Sequence, residues 1–279
     1  MLANSYRAAV TAFVVLAIAS VGNAQTNVGF SCDTTKLQYC TNLFITHTAW
    51  PMTAGKAWQD YTQIDNFFTY TLLAGAPGYY DGLLLGCNGF EQLYSCLGLQ
   101  NRGCLSVPAR LAAGDSPVNA YGIGGVMNKL LFECGAGLFT LTNDNALTCV
   151  QNVFIGYRQA LTQCQNTYLA NTEHDTINGC QYTTDLINCY TAPFTMAGCR
   201  RENKSDQWWA CETQLNYARG QFPLCDIHCD LQNGPSGHHN YLQTNYKFEN
   251  EQHHFKMPNI WKQVNDEWKF VEQEQWYTN

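Results

Sequence analysis

A mostly α fold of disulfide-stapled helical units, followed by a cysteine-free tail, is predicted from three observations. Fourteen cysteines follow a leader of secretory type, apolar residues around them recur at intervals of three and four, and long alternating strand patterns are missing. The chain has 279 residues, 46% hydrophobic and 13% charged, enough to bury a core in one or two domains. The reading divides it into a signal peptide at 1–24, a first cysteine-rich unit at 25–137, a second at 138–230 and an aromatic tail at 231–279.

The leader reads MLANSYRAAVTAFVVLAIASVGNAQ. Arg7 precedes an apolar run from Ala8 to Val21, and Gly22 and Ala24 are the small residues that a signal peptidase requires, so cleavage is expected after Ala24. The competing reading, an uncleaved anchor, needs roughly 20 apolar residues, and this run is shorter. No later segment is long and apolar enough to span a bilayer, so the mature chain is expected to be secreted without a membrane span. Removing Arg7 takes the formal net charge from -7 to -8. No long basic run offers a footprint for phosphate backbones, which excludes nucleic acid as a partner.

The cysteines are Cys32, Cys40, Cys87, Cys96, Cys104, Cys134, Cys149, Cys164, Cys180, Cys189, Cys199, Cys211, Cys225 and Cys229. An even number after a secretory leader predicts a disulfide framework. Their spacing also echoes within the chain. GCNGFEQLYSC, from Gly86, and GCQYTTDLINC, from Gly179, share the frame glycine, cysteine, five residues, leucine, two residues, cysteine, and Leu93 answers Leu186. Each then reaches a second glycine-cysteine pair, Gly103-Cys104 and Gly198-Cys199. Outward, Cys40 precedes Cys87 by 47 residues and Cys134 precedes Cys180 by 46, while Cys104 to Cys134 and Cys199 to Cys229 both span 30. This ladder predicts two related units of roughly 93 residues, with the CGAG turn at Cys134 to Gly137 as the boundary.

Helices are placed in order by caps and periodicity. Asp33 or Thr34 opens one carrying Leu37, Cys40 and Phe44; Lys56 to Phe68 places Tyr61, Ile64 and Phe68 at helical intervals. Cys87 and Cys96, nine apart, would stand about 13.5 Å apart on opposite faces of a helix. They would then be too distant to bond to each other, so each must reach a different neighbour. Ser116 and Pro117 fit an N-cap and first helical residue, with Gly135 past the end, although Gly124 and Gly125 weaken the middle. Leu147, Val150, Phe154, Tyr157, Leu161, Cys164 and Tyr168 form one continuous stripe, capped by Asn143 or Asn145. Ser205 caps a helix carrying Trp208, Cys211 and Leu215.

Catalytic motifs are absent: GPSG at Gly234 lacks the nucleophile-elbow spacing, and there is no HExxH, Walker loop or GxGxxG. His174-Asp175 faintly matches secreted phospholipases but has neither the preceding cysteine pair nor a calcium loop, and reads as a solvated loop. No catalytic, cofactor-binding or metal residue is assigned, and no cofactor is expected. CDIHC, Cys225 to Cys229, adds His228 as a nitrogen ligand, yet an oxidising compartment converts such thiols to disulfides before zinc competes. Asn203-Lys204-Ser205 is the one N-glycosylation sequon.

The tail, from Leu231, holds nine aromatics and the doublets His238-His239 and His253-His254, which read as solvated rather than metal-binding. Trp261, Val264, Trp268 and Val271 after Pro258 predict an amphipathic helix over 258–277, whose net acidic charge disfavours anionic membranes. Ser236-Gly237 is the one Ser-Gly dipeptide, a minimal glycosaminoglycan site without the acidic cluster that attachment favours.

The segment FECGAG, the C-x14-C-x14-C spacing from Cys134 to Cys164 and the paired GC-x5-L-x2-C segments together resemble nematode secreted cysteine-rich proteins of unknown function. They also resemble the chondroitin-proteoglycan-type cysteine domain. The resemblance spans Cys32 to Cys229 and implies a secreted, disulfide-bonded helical module without known enzymatic activity. The aromatic tail and scarcity of Ser-Gly sites depart from it and argue against a sulfated matrix proteoglycan. The expected role is a non-enzymatic extracellular binding, structural or defence module that engages a ligand, a matrix component or a foreign surface. The alternative is a small secreted hydrolase whose carboxylates or histidine meet only in the fold.

Overall fold

A computed structural model of the protein describes residues 31–75, 80–143, 146–199 and 205–229, together with five strand segments between 246 and 278. The leader, Asn203, Ser236-Gly237 and His238-His239 lie outside these residues.

Local chemistry sets the first elements. Asp33 caps α1, Thr34–Thr48, accepting from the Lys36 amide at 3.0 Å. The helix ends where Ala49 turns left-handed at φ 54°, just before Pro51. The second helix starts later than Lys56, because Asp60 is the residue that caps it. α2, Tyr61–Asn66, runs directly into a π-helical segment, Phe67–Leu73. There follow α3 at Asp81–Leu97, α4 at Gln100–Leu105, α5 at Val107–Ala112 and α6 at Pro117–Glu133. α6 has Ser116 as its cap and Pro117 at its first position, as the sequence predicts.

α7 is Ala136–Asn143. The long stripe from Leu147 is divided into α8, Leu147–Gly156, and α9, Arg158–His174, by Tyr157 at φ -116°. Gly156 is the weak point that allows the break, and Ala146, not Asn143 or Asn145, stands at the N-cap. α10 is Gly179–Met196 and α11 is Ser205–Arg219.

Seven disulfides pair all fourteen cysteines. Cys87 and Cys96 sit on α3 and part company as their helical positions require, Cys87 to Cys134 and Cys96 to Cys40. The remaining bridges are Cys32–Cys104, Cys149–Cys199, Cys164–Cys189, Cys180–Cys225 and Cys211–Cys229. No bridge crosses from 32–134 to 149–229. In each half six cysteines pair first with fifth, second with fourth and third with sixth, and Cys211–Cys229 is additional in the second. This order aligns α1 with α9, α3 with α10 and α6 with α11. The spacing ladder is corrected at its outer rungs. Cys40 corresponds in pairing to Cys164 rather than Cys134, and Cys134 to Cys225 rather than Cys229. The interval from α1 to α3 holds α2 and the π segment, whereas only residues 175–178 separate α9 from α10, so equal spacings there join unlike cysteines.

The glycine of each GC pair earlier in the frame has a steric reason. A Cβ on Gly86 would stand 2.7 Å from the Phe68 ring, and one on Gly179 would overlap the Phe222 ring. The later glycines differ, since only Gly198 takes a positive φ, 71°.

One core runs across the 137/138 boundary. Phe154 of α8 meets Tyr70 at 6.1 Å, Phe194 at 6.2 Å and Trp209 at 6.0 Å, all near edge-to-face. Phe132 of α6 meets Trp208 at 5.7 Å. Gly125 is the means by which α6 packs closely on α11: a Cβ on it would be 2.7 Å from the Tyr217 carbonyl oxygen, and one on Gly220 would be 2.6 Å from the Gly125 amide, while Gly124 makes room for Val107 of α5 at 2.9 Å.

The tail does not form the predicted helix over 258–277. Its backbone runs as β1 Tyr246–Glu249, β2 Gln252–Met257, β3 Ile260–Val264, β4 Glu267–Val271 and β5 Gln275–Thr278. The order is β1-β2-β5 in one antiparallel sheet and β3-β4 in another. The aromatic and β-branched residues that suit a helical stripe suit strands better, and two-residue links, Asn250-Glu251 and Asn265-Asp266, are the length of a hairpin turn.

Candidate functional site

Two places concentrate unusual chemistry, one sealed and one open. The sealed one gathers around the π segment, a form found mostly at special positions. Lys129 of α6 donates to Asp65 of α2 at 2.6 Å and to Thr69 of the π segment at 3.0 Å, and Glu133 lies 4.0 Å away. Lys129 and Glu133 are 1% and 0% exposed. Burial opposes the charge on Lys129, but the carboxylates of Asp65 and Glu133 hold its pKa above the ordinary value. Burial pushes Glu133 up to about 7, with Lys129 pulling the other way and Asp65 adding to the rise. Tyr190 of α10 is raised well above its ordinary value by burial and by the neighbouring Tyr70, Asp65 and Glu133. Charges so enclosed tie α2, the π segment and α6 together, and no solute reaches them while the core stays closed.

The open site lies between α6, α9 and α11, helices from both halves of the cysteine framework. It is a pocket of about 280 Å³. Its base is made by the buried rings of Tyr168 and Tyr217, 6.2 Å apart and inclined at 67°. Gly122 of α6 also lines it, and the Tyr61 ring occupies the space that a Cβ at Gly122 would take. Tyr121, Val118 and Leu169 continue the walls, and the exposed Glu173 and Thr176 stand at the rim.

The hydroxyls of the basal tyrosines are directed elsewhere. Tyr217 hydrogen-bonds Tyr61, whose own pKa burial pushes up to about 12, and the Tyr168 hydroxyl faces Thr183 of α10 and is raised by burial.

The start of α6, which forms one lip, is held firmly. The side chain of Asn119 accepts from the Tyr61 amide at 3.1 Å and donates to the Trp58 carbonyl and to Asp115 at 3.2 and 2.8 Å. Arg110 pairs with Asp115 at 2.7 Å and donates to the same Trp58 carbonyl at 2.8 Å.

The sequence motifs contribute little to either place. The expected loop begins one residue later than His174, which is the last residue of α9, and Asp175 follows as its C-cap, accepting from the Ile177 amide and the Tyr182 hydroxyl. Cys225 and Cys229 of CDIHC are both bridged and supply no thiolate, and His228 rests on Asp226 at 2.9 Å in the open. Asp206 is buried beside the Cys149–Cys199 bridge, whose sulfurs are likewise committed. His253 and His254 lie on β2.

Of the pocket's tyrosines, Tyr168 is legible in the sequence only as the last member of the helical stripe from Leu147, and no motif marks Tyr121 or Tyr217. No protein family, curated protein or solved structure matches the chain.

Proposed function

We propose that this is a secreted, non-enzymatic binding protein, built from two units of common origin, that takes a small extracellular ligand into the pocket between α6, α9 and α11. The tyrosine-walled pocket on a rigid, cross-linked frame is the observation that carries the reading. Complete pairing of the cysteines fits an oxidising compartment. The leader and the resemblance to nematode secreted cysteine-rich proteins point the same way. The shared pairing order, first with fifth, second with fourth and third with sixth, supports duplication of a three-bridge helical unit.

The hydrolase alternative draws no support from the pocket, where among the described residues Glu173 is the one carboxylate and no histidine completes an acid-base pair. The converging groups Asp65, Lys129 and Glu133 are enclosed in the core.

Val118→Trp provides the test, because Val118 is on the exposed first turn of α6 at the rim. In a thermal-shift screen of small molecules, hits that stabilise the wild-type protein should lose their effect on V118W, whose own Tm should stay within about 2 °C. Hits that stabilise both proteins equally would place binding away from this pocket and refute the reading.

A further inference from the structure

We infer that the pocket recognises an organic cation, of the quaternary or highly alkylated ammonium class, by an aromatic cage. This deepens the binding function proposed above and rests on it.

The first support is the kind of surface presented. Tyr168 and Tyr217 form a corner of two rings at 67°, and Tyr121 supplies a third on the same pocket. Ring faces carry the negative end of the aromatic quadrupole, and rings meeting at a corner can surround an alkylated cation from several sides. The Tyr217 hydroxyl is engaged with Tyr61, so that basal tyrosine contributes ring surface rather than a free donor.

The second support is charge. Among the described residues the lining contains no lysine, arginine or histidine, and its one ionisable group besides tyrosine is the Glu173 carboxylate at the rim. A fatty acid or other anionic amphiphile would enter beside a like charge with no partner for its carboxylate, which costs affinity. A cation gains both the carboxylate and the rings. An alkylated ammonium also suits walls with few polar atoms, since it needs no hydrogen-bond acceptors at the base, whereas a primary ammonium keeps three donors that must be satisfied. The net acidic charge, -7 for the whole chain and -8 once the Arg7-bearing leader is removed, adds long-range attraction for a cation.

The test is calorimetric titration of the full disulfide-bonded protein with choline and with its uncharged isostere, 3,3-dimethyl-1-butanol. Choline is expected to bind at least about tenfold more tightly than the isostere. Tyr121→Leu, at a half-buried position, should weaken choline by about tenfold or more, and Glu173→Gln by a few-fold in a salt-dependent manner. Both variants are to be checked for a wild-type far-UV spectrum. If the isostere binds as well as choline, the pocket binds neutral apolar ligands and the cation inference falls while the binding function stands. If choline binds equally to wild type and Y121L, the cation sits elsewhere and the inference is overturned. If neither compound binds, the cation inference falls; the binding function falls with it only if the V118W screen also yields no pocket-dependent hit.

Discussion

Glu133 enters the core with neither carboxylate oxygen accepting a hydrogen bond among the described residues, and its nearest countercharge, Lys129, is already committed to Asp65 and Thr69. The proton is thereby favoured on Glu133, and its pKa rises to about 7 through burial, against the pull of Lys129. The unfolded chain titrates this group near 4.3. Between those values the native state holds a proton that the unfolded state has released. The resulting stabilisation is complete below about pH 4.3 and is lost as pH rises through 7. Asp65, Lys129, Tyr70 and Tyr190 are the ionisable neighbours that share this field. Glu133→Gln, which keeps the shape but cannot ionise, should flatten the urea-unfolding free energy between pH 4.5 and 7. The wild-type contribution over that window is about 3 kcal/mol. Equal slopes for the two proteins would show that Glu133 titrates as an exposed carboxyl.

At the scale of the helix pair, Gly125 and Gly220 let α6 and α11 approach at backbone distance. Glycine inside a helix costs about 1 kcal/mol relative to alanine, so a helix considered alone would be stabilised by Gly125→Ala. The close contact reverses the sign. A methyl group at 125 would press on the Tyr217 carbonyl and ring at 2.7 and 2.9 Å, and overpacking of this kind costs about 1 to 3 kcal/mol. G125A should therefore lower stability by about 1 to 2 kcal/mol in urea unfolding and displace Tyr217 at the base of the pocket. A gain in stability would mean that the helices are farther apart than described. The doubts that Gly124 and Gly125 raise in a sequence reading are resolved here, because the cost to the helix is outweighed by the packing it permits.

The whole molecule combines two closed disulfide systems with one shared core. Digestion of the unreduced protein with an Asp-specific protease, separated under denaturing conditions, should yield no cross-linked peptide pair spanning Asp144. Cys87 should appear with Cys134, and Cys180 with Cys225. A Cys134–Cys149 link, or substantial free thiol, would contradict the scheme. The core is nevertheless continuous, since Phe132 reaches Trp208 and Phe154 reaches Tyr70 across the boundary between the systems. Among the described residues no helix is long and apolar enough to cross a membrane.

Much of the helical frame is legible in local residues. Asp33 and Ser116 cap the helices they precede, because capping depends on a side chain and an amide two or three positions away. The separate partners of Cys87 and Cys96 follow from helical geometry alone, because nine residues place them on opposite faces. The tail misled because Trp261, Val264, Trp268 and Val271 satisfy a helical interval while their residue types favour strands. Strand pairing is decided by contacts beyond any short window.

By itself, then, the sequence determined a mostly helical, cysteine-rich protein, the caps at Asp33 and Ser116, and the requirement that the cysteines of α3 bond apart. The tertiary structure alone decided which cysteine answers which, that Asp65, Lys129 and Glu133 share one enclosed site, and that Tyr121, Tyr168 and Tyr217 share an open one. The reason is physical. A cap or a helical face is set by neighbours along the chain, whereas Asp65 is 64 residues from Lys129 and the pocket tyrosines stand on three separate helices, so these groups meet only when the helices pack.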